Sequence, residues 1–371
     1  MSSPKVSVCI ASYNHECYLA ETLSSILAQT YQDFEIVIVD DESTDDSVRL
    51  IEQFVSQYPD RIRFYQHADR RNHGVSRTTN LAIEKSHGQY ISFIGSDDIW
   101  HNNKLEVEVS AFEQNPQVGL IYAKALAVDK QRNSLGKIYG AAVTGNATQL
   151  LILGNVIPAL TVMVSREALD KCGWLDEALA YSDWDLWIRI SHEFPLLFVD
   201  EVLAERREHG QNMSLGSEER DAQYNLDVLK AAEQYPWFEE VQGFVGVRKV
   251  LELLRLKKYH LAGECLNEIL ICQKTTSLQK DLLDRILAQF LNDVDRADVE
   301  EELWEFVAPL QVHRVRRAIL GEYYAAREFL AFRSGDFALA RHCYFRAVFY
   351  YPKFLTNRGM VSVLMKGLSL G

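Results

Sequence analysis

The sequence predicts an α/β sheet, mostly parallel and covered by helices on both faces, followed by an all-α half. Three observations carry that expectation. Short apolar, β-branched runs alternate with segments of helical spacing through the first 130 residues. Two of those runs, Phe34–Asp40 (FEIVIVD) and 90–94 (YISFI), are apolar almost without a break, as strands buried on both faces must be. After about Ser217 the strand signals vanish and helical spacing takes over.

Residues 6–11 read as the first strand, and 18–29 as a helix with Leu19, Leu23, Ile26 and Leu27 on one face. Phe34–Asp40 is the second strand, and Ser43-Thr-Asp turns into a helix reaching about Tyr58. A third strand covers 62–65, a helix Val75–Lys85, and the fourth strand, 90–94, runs into Gly95-Ser-Asp-Asp. A helix over 103–113 and a strand over 118–128 complete the alternation. Residues 131–215 are mixed, with a strand-like 161–165 and a Trp-bearing helix over 182–192. Further on, Gly335, Phe337, Ala340, Tyr344, Ala347 and Pro352 fall at the spacings of a 34-residue tetratricopeptide unit, with 322–333 as its first helix. Tyr259, Ala262, Leu266 and Ile269 repeat part of that pattern; the match is partial, with Arg327 and Glu328 at the first-helix Leu-Gly positions, and a generic helical bundle is the alternative. The expected domains are therefore 1–215 and 216–371.

Composition narrows the function. With 371 residues, 47% of them hydrophobic and 25% charged, the chain can bury a core, which excludes a disordered protein. Its net charge of −13 and the lack of a long Lys/Arg run argue against a nucleic-acid partner. The six cysteines show no CxxC spacing, which fits a reducing compartment and thiols used as small core residues. The apolar run 6–10 is too short for a leader and reads as a strand. The most apolar window, 150–164, is interrupted by Gly154, Asn155 and Pro158, so no membrane-spanning helix is expected.

In open parallel sheets, ligands sit outside the carboxyl ends of the strands. Ala11-Ser-Tyr-Asn14, Asp40-Asp41 and Ser96-Asp97-Asp98 all fall there. Adjacent acids suit a hard divalent ion, which would offset the charge of a phosphate group. The same acids, Asp41 among them, also serve as helix caps. Asp183 stands in the first turn of its helix, placed either as a general base or as a partner of the helix dipole. Trp184 and Trp187 read as core rather than as a ligand platform. His209 lies in a loop-like, Gly-containing stretch, 206–214, where an imidazole either meets a metal or a phosphate, with Arg206 and Arg207 adding positive charge, or is simply solvated.

Taken in order, VSVCIASYN, FEIVIVDDESTDDS and NHGVSRTTNLAIEKSHGQYISFIGSDDIWHNNKLE resemble family 2 of the glycosyltransferases, over about residues 4–215. That resemblance implies an A-type, Rossmann-like mixed sheet and inverting transfer from a nucleotide-diphosphate sugar, a UDP-sugar foremost. It implies that Ala11 and Tyr13 line the nucleotide pocket, that Asp41 bonds the base, and that Asp97 lies near the ribose. Asp98 would ligate Mn²⁺ or Mg²⁺, Asp183 would be the catalytic base, and His209 would close over the diphosphate. Residues 173–177 and 182–187 would form the acceptor side. The sequence departs from the family's usual pattern at Gly95 and Ser182, where acids are common, at Thr79, where Arg is frequent, and at Asn102, where Pro is common. None of these positions is one the mechanism requires.

The function so implied is sugar transfer in cell-surface polysaccharide or glycolipid assembly, on a saccharide or lipid-linked acceptor. A peptide or protein acceptor held by the helical repeats is the alternative, and a non-catalytic scaffold a third reading. The expected location is cytoplasmic, with peripheral contact at the inner face of the cell membrane. The last stretch, 354–371, sets Leu355, Val361, Leu364 and Leu368 beside Arg358 and Lys366, with Lys353 just before it, and either lies on an anionic membrane or caps the last repeat. Helical repeats also suit a second subunit, so a homodimer is a compatible partner.

Overall fold

The run Val6–Ser12 forms β1, in the middle of the parallel half of a nine-stranded sheet. In the computed structural model, which describes residues 3–210, 212, 217–271 and 299–363, the chain divides into two compact units. The first holds 1–217 with 230–234, the second 218–229 with 235–371.

In the first unit, β1 is followed by α1 (Glu16–Leu27), β2 (Phe34–Asp40), α2 (Ser47–Gln57), β3 (Ile62–Gln66), α3 (Val75–Lys85) and β4 (Tyr90–Gly95). Then come β5 (Ile99–Trp100), α4 (Lys104–Gln114), β6 (Leu120–Val128), β7 (Ser134–Tyr139), α5 (Thr148–Leu153), β8 (Met163–Ser165), α6 (Arg166–Cys172), α7 (Ser182–Glu193) and β9 (Leu196–Arg207). The sheet order is β3-β2-β1-β4-β8-β6-β9-β5, with β7 on β6. Strands β3, β2, β1 and β4 are mutually parallel, as the crossover helices require, whereas β8 runs antiparallel to both β4 and β6. The sheet is thus mixed. In register, Ala11 pairs with both Val39 and Gly95, so β1, β2 and β4 end level with one another. Val8, Ile10, Ile36 and Ile38 pack with Leu19, Leu23 and Ile26 of α1 and with Phe112 of α4 in one core.

Strand β9 was not expected. Its sequence, LLFVDEVLAERR, carries Asp200 and Glu201 mid-run, which breaks the apolar pattern. The register with β6 shifts between Tyr122 and Ala125, and the irregularity leaves both acids exposed while the strand continues. Arg206 and Arg207, expected in a loop, are its last two residues.

Beneath the sheet, α4 buries an ion pair. Lys104 Nζ lies 2.6 Å from Glu108 Oε2 and 2.9 Å from Ser92 Oγ, and sits 4.1 Å from the centre of the Trp100 ring. Both charged side chains are fully buried, and Glu108 Oε1 has no hydrogen-bond partner. Burial pushes the Glu108 carboxyl up to about 7 and the Lys104 amine down from its ordinary value.

The second unit is helical: α8 (Glu218–Ala232, whose residues 230–232 count with the first unit), α9 (Phe238–Arg255), α10 (Tyr259–Ile271), α11 (Val299–Val307), α12 (His313–Arg333) and α13 (Phe337–Tyr350). Helices α12 and α13 form a hairpin turned at Gly335, whose φ of 84° favours glycine. Asp336 caps α13 by accepting from the Leu339 N–H at 2.9 Å. Ala340, Tyr344 and Ala347, singled out by their spacing, form the buried face of α13. The first helix of the pair begins at His313, upstream of the expected 322–333. Phe354, Met360 and Val363 are buried and Leu355 is exposed; Leu364, Lys366 and Leu368 lie outside the described residues.

No disulfide joins the five described cysteines, and Cys272 lies outside the described residues. Cys9 and Cys343 are buried and Cys17 is exposed, so only some of the thiols serve the core. Among the described residues, no helix is long and apolar enough to cross a membrane.

Candidate active site

The loops after β1, β2 and β4 are tied together by short polar side chains. Asn14, at a φ of 51°, accepts the Thr44 N–H at 2.7 Å, and its own N–H donates to Ser43 Oγ at 2.9 Å. Ser43 in turn donates to Asp40 at 2.6 Å. Asp40 is therefore a structural acid of the turn. Asp41 is nearly buried, and its two carboxylate oxygens accept the His73 and Gly74 N–H groups at 2.7 and 2.8 Å, just ahead of α3. Asp41 thus orders the turn into α3 without capping the helix, since the bonded N–H groups precede its first residue; each oxygen keeps acceptor capacity. Ala11 is half-buried at the end of β1, and Tyr13 beyond it is exposed.

The turn after β4 is held from two sides. From α1, Thr22 Oγ1 lies 3.1 Å from the Ser96 carbonyl and 2.8 Å from that of Asp98. From β9, Arg207 donates through Nε to the Asp97 carbonyl (2.9 Å), through Nη1 to the Lys130 carbonyl (3.0 Å), and through Nη2 to Glu21 (2.6 Å). Its guanidinium also stacks over Tyr18 at 4.7 Å and is only 2% exposed. Arg207 therefore clamps the turn, and with Arg206 it brings positive charge to bear on Asp98.

Inside that clamp three potential ligands converge. His15 Nδ1 is 2.8 Å from Ser96 Oγ, and His209 Nε2 is 2.9 Å from Asp97 Oδ2. His209 is buried, stacked on Tyr18 with ring centres 5.0 Å apart and edge-on to His15 at 5.6 Å. One ligand atom each from His15, Asp97 and His209 lies within 4.8 Å of the others. Burial lowers the pKa of His15, favouring the neutral imidazole that binds metals. Burial alone would raise Asp97, but the hydrogen bond from His209 foremost holds it below the usual carboxylate value.

Asp98 lies outside that set of three. Its Oδ1 accepts the Arg207 N–H at 2.9 Å, and burial together with the Asp97 charge raises its pKa well above the ordinary value. The geometry thus brings His209 together with Asp97, which the resemblance had set near the ribose, and leaves Asp98 beside the cluster. His15 went unnoticed in the sequence; its place three residues after the end of β1 was the available signal.

Asp183 sits half-buried at the N-terminus of α7, with Oδ1 accepting the Trp184 N–H at 2.8 Å. Burial raises its pKa, while the Trp184 amide and the charge of Arg206 oppose that rise. A 2.7 Å contact between Ser182 Oγ and Ser76 Oγ ties this helix end to α3. Trp184 and Trp187 are both buried, and Trp184 Nε1 donates to the Leu151 carbonyl at 2.7 Å, so they serve the core as expected. Segment 173–177 leans on α3 through Asn80, which bonds the Leu175 carbonyl at 2.9 Å and the Leu175 N–H at 3.1 Å.

A mixed sheet whose parallel strands end level, with acids and imidazoles gathered at those ends, has the architecture of the A-type glycosyltransferase fold. Residues 7–169 match the model of glycosyl transferase family 2, so the first unit carries a domain of that family. An uncharacterized glycosyltransferase of Rickettsia felis is 30% identical over 217 residues, 57% of this chain and 35% of its own. The chain thus spans about a third of that relative's length. Among solved structures, S. aureus TarS 1–349 in complex with UDP-GlcNAc is similar at a TM-score of 0.56 and 18% identity, over 89% of this chain and 92% of that one. The mannosyltransferase PcManGT from Pyrobaculum calidifontis, in complex with GDP-Man and Mn²⁺, gives 0.52 at 15% identity, over 83% and 86%. At these identities the two structures speak to the fold.

Proposed function

We propose that the first unit is an inverting, metal-assisted sugar transferase that takes its glycosyl group from a nucleoside-diphosphate donor. The observation that carries this reading is the convergence of His15, Asp97 and His209 at the carboxyl ends of the parallel strands. The nucleotide complexes of TarS and PcManGT support the donor class.

One carboxylate and two imidazoles suit Mn²⁺ better than Mg²⁺, which prefers oxygen ligands. When bound there, such an ion would offset the charge of a departing diphosphate. The chain's own groups do the rest. Tyr13 and Ala11 flank the nucleotide, and Asp41 keeps acceptor capacity for an N–H of its base. Asp183 takes the proton of an acceptor hydroxyl as that oxygen bonds to the anomeric carbon. The bond from that carbon to the diphosphate oxygen breaks on the opposite face, and the nucleoside diphosphate leaves with the electron pair. One displacement inverts the centre. The acceptor we propose is a growing cell-surface saccharide, free or lipid-linked, met on the cytoplasmic side.

A thermal-shift panel tests the donor site: UDP, GDP, CDP and dTDP, with and without Mn²⁺, on wild type, Asp97→Ala and Asp98→Ala. A nucleotide at 100 times its dissociation constant should add about 2.7 kcal/mol of stability. The expected result is a Mn²⁺-dependent shift, with UDP foremost, that Asp97→Ala abolishes. No shift with any nucleotide would sink the transferase reading. Loss in Asp98→Ala alone would move the metal to that acid.

Gly95 provides a second check. A Cβ there would stand 2.6 Å from Asp97 Oδ1 and 3.3 Å from Asp98 Oδ2, so Gly95→Ala must swing the Asp97 carboxylate away. Mn²⁺ affinity, measured by calorimetry with the metal alone, is expected to fall about 10–100-fold. Unchanged affinity would remove Asp97 from the ligand set.

A further inference from the structure

We propose that the outer face of α13 docks the chain on an anionic lipid bilayer. The exposed positions of this helix include Ala338, His342, Phe345 and Phe349, at the 4-3-4 spacing that places them in one stripe. Phe345 is 63% and Phe349 70% exposed, and Leu355 in the following turn is 57% exposed. The opposite face, through Ala340, Tyr344 and Ala347, supplies the buried side of α13. The two phenylalanines touch their tyrosine neighbours edge-on and leave most of their surface in water, and large apolar side chains so held mark a surface that is covered in use.

Charge selects the occupant. Over residues 313–363 there are nine Lys and Arg against three Asp and Glu, within a chain whose net charge is −13. One of the three acids, Glu328, is fully buried with neither carboxylate oxygen partnered, so it offers no counter-charge to solvent. Several of the cations border the aromatic stripe. Arg341 lies one turn before Phe345 and Arg358 follows Leu355, while Lys353, just before it, is paired with Glu322 at 2.7 Å. Arg317 donates to the carbonyls of Phe349 and Tyr350 at the end of α13, at 2.9 and 3.2 Å. Aromatic and aliphatic tips ringed by cations match the interface of a bilayer with anionic headgroups. A second copy of this chain would instead set the same positive surplus against itself.

The sequence reading placed membrane contact in 354–371; the exposed rings lie upstream of that stretch, on α13. The inference is independent of the transferase reading, because a chain with no catalytic activity would dock in the same way.

Sedimentation of the full chain with vesicles tests it. Wild type is expected to pellet with phosphatidylcholine vesicles containing about 30% phosphatidylglycerol, and at least about tenfold less with phosphatidylcholine alone. Raising salt from about 0.1 M to about 0.5 M should release it. Phe345→Ser/Phe349→Ser and Arg341→Glu/Arg358→Glu should each cut binding at least about fivefold with melting temperature unchanged. Failure of the folded wild type to pellet with anionic vesicles would overturn the proposal. So would equal binding to neutral vesicles, or binding that neither variant alters. A dimer in analytical ultracentrifugation that Phe345→Ser/Phe349→Ser dissociates would assign the face to a second copy and overturn it too.

Discussion

Replacing Asp183 with Asn is expected to lower kcat for sugar transfer by about 10²–10⁴-fold while leaving nucleotide binding intact. Asparagine keeps an oxygen where Asp183 Oδ1 accepts the Trp184 N–H, so the start of α7 holds its shape and only the proton acceptor is lost. The pH profile gives an independent readout. Burial raises the Asp183 carboxyl above its ordinary 3.8, and a base acts only when deprotonated. Activity should therefore rise with pH along an acid limb set above that value, and the Asn variant should lack the limb. Near-wild-type turnover in Asp183→Asn would exclude it as the base.

Lys104→Met is expected to destabilise the first unit by about 3–5 kcal/mol, because it strands a buried carboxyl without its cation. That is a large share of the roughly 5–15 kcal/mol that holds a typical domain folded. The sign of the pH dependence follows from Glu108, already pushed up to about 7 beside Lys104. A raised carboxyl is neutral, and harmless, at low pH; its cost appears as pH climbs through the folded value. The deficit in urea unfolding should thus be larger near pH 8 than near pH 5.5. Lys104→Met/Glu108→Leu should recover most of the loss, since a packed apolar pair removes the stranded charge. A double variant as unstable as the single one would show that the pair contributes more than mutual neutralisation.

The parallel half of the sheet was legible because doubly buried strands and their crossover helices write strong, local patterns. Phe34–Asp40 and Val75–Lys85 were expected within the bounds they adopt, and the acids were expected where β2 and β4 end. What stayed hidden depends on partners far along the chain. Strand β9 looked broken because Asp200 and Glu201 interrupt it, and only its irregular pairing with β6 reconciles those acids with a strand. How the adjacent Asp97 and Asp98 carboxylates are oriented was likewise not legible. That is set by Arg207 and His209, more than a hundred residues later. A strand end locates an acid along the chain and is silent about its direction.

The Arg207 clamp also has a consequence in time. Its ion pair with Glu21 spans 186 positions, and the His209–Asp97 bond spans 112. A ribosome releases the chain from its N-terminus, so α1 and the acids of the β4 turn emerge well before the residues that orient them. A nascent chain ending near Phe194 would own four parallel strands and an unaimed Asp97. On the donor site proposed above, capture of a nucleotide would wait until β9 has slotted between β6 and β5, which would make binding competence a late property of the first unit. Donor capture by ribosome-bound chains of increasing length would read out the moment that strand enters the sheet.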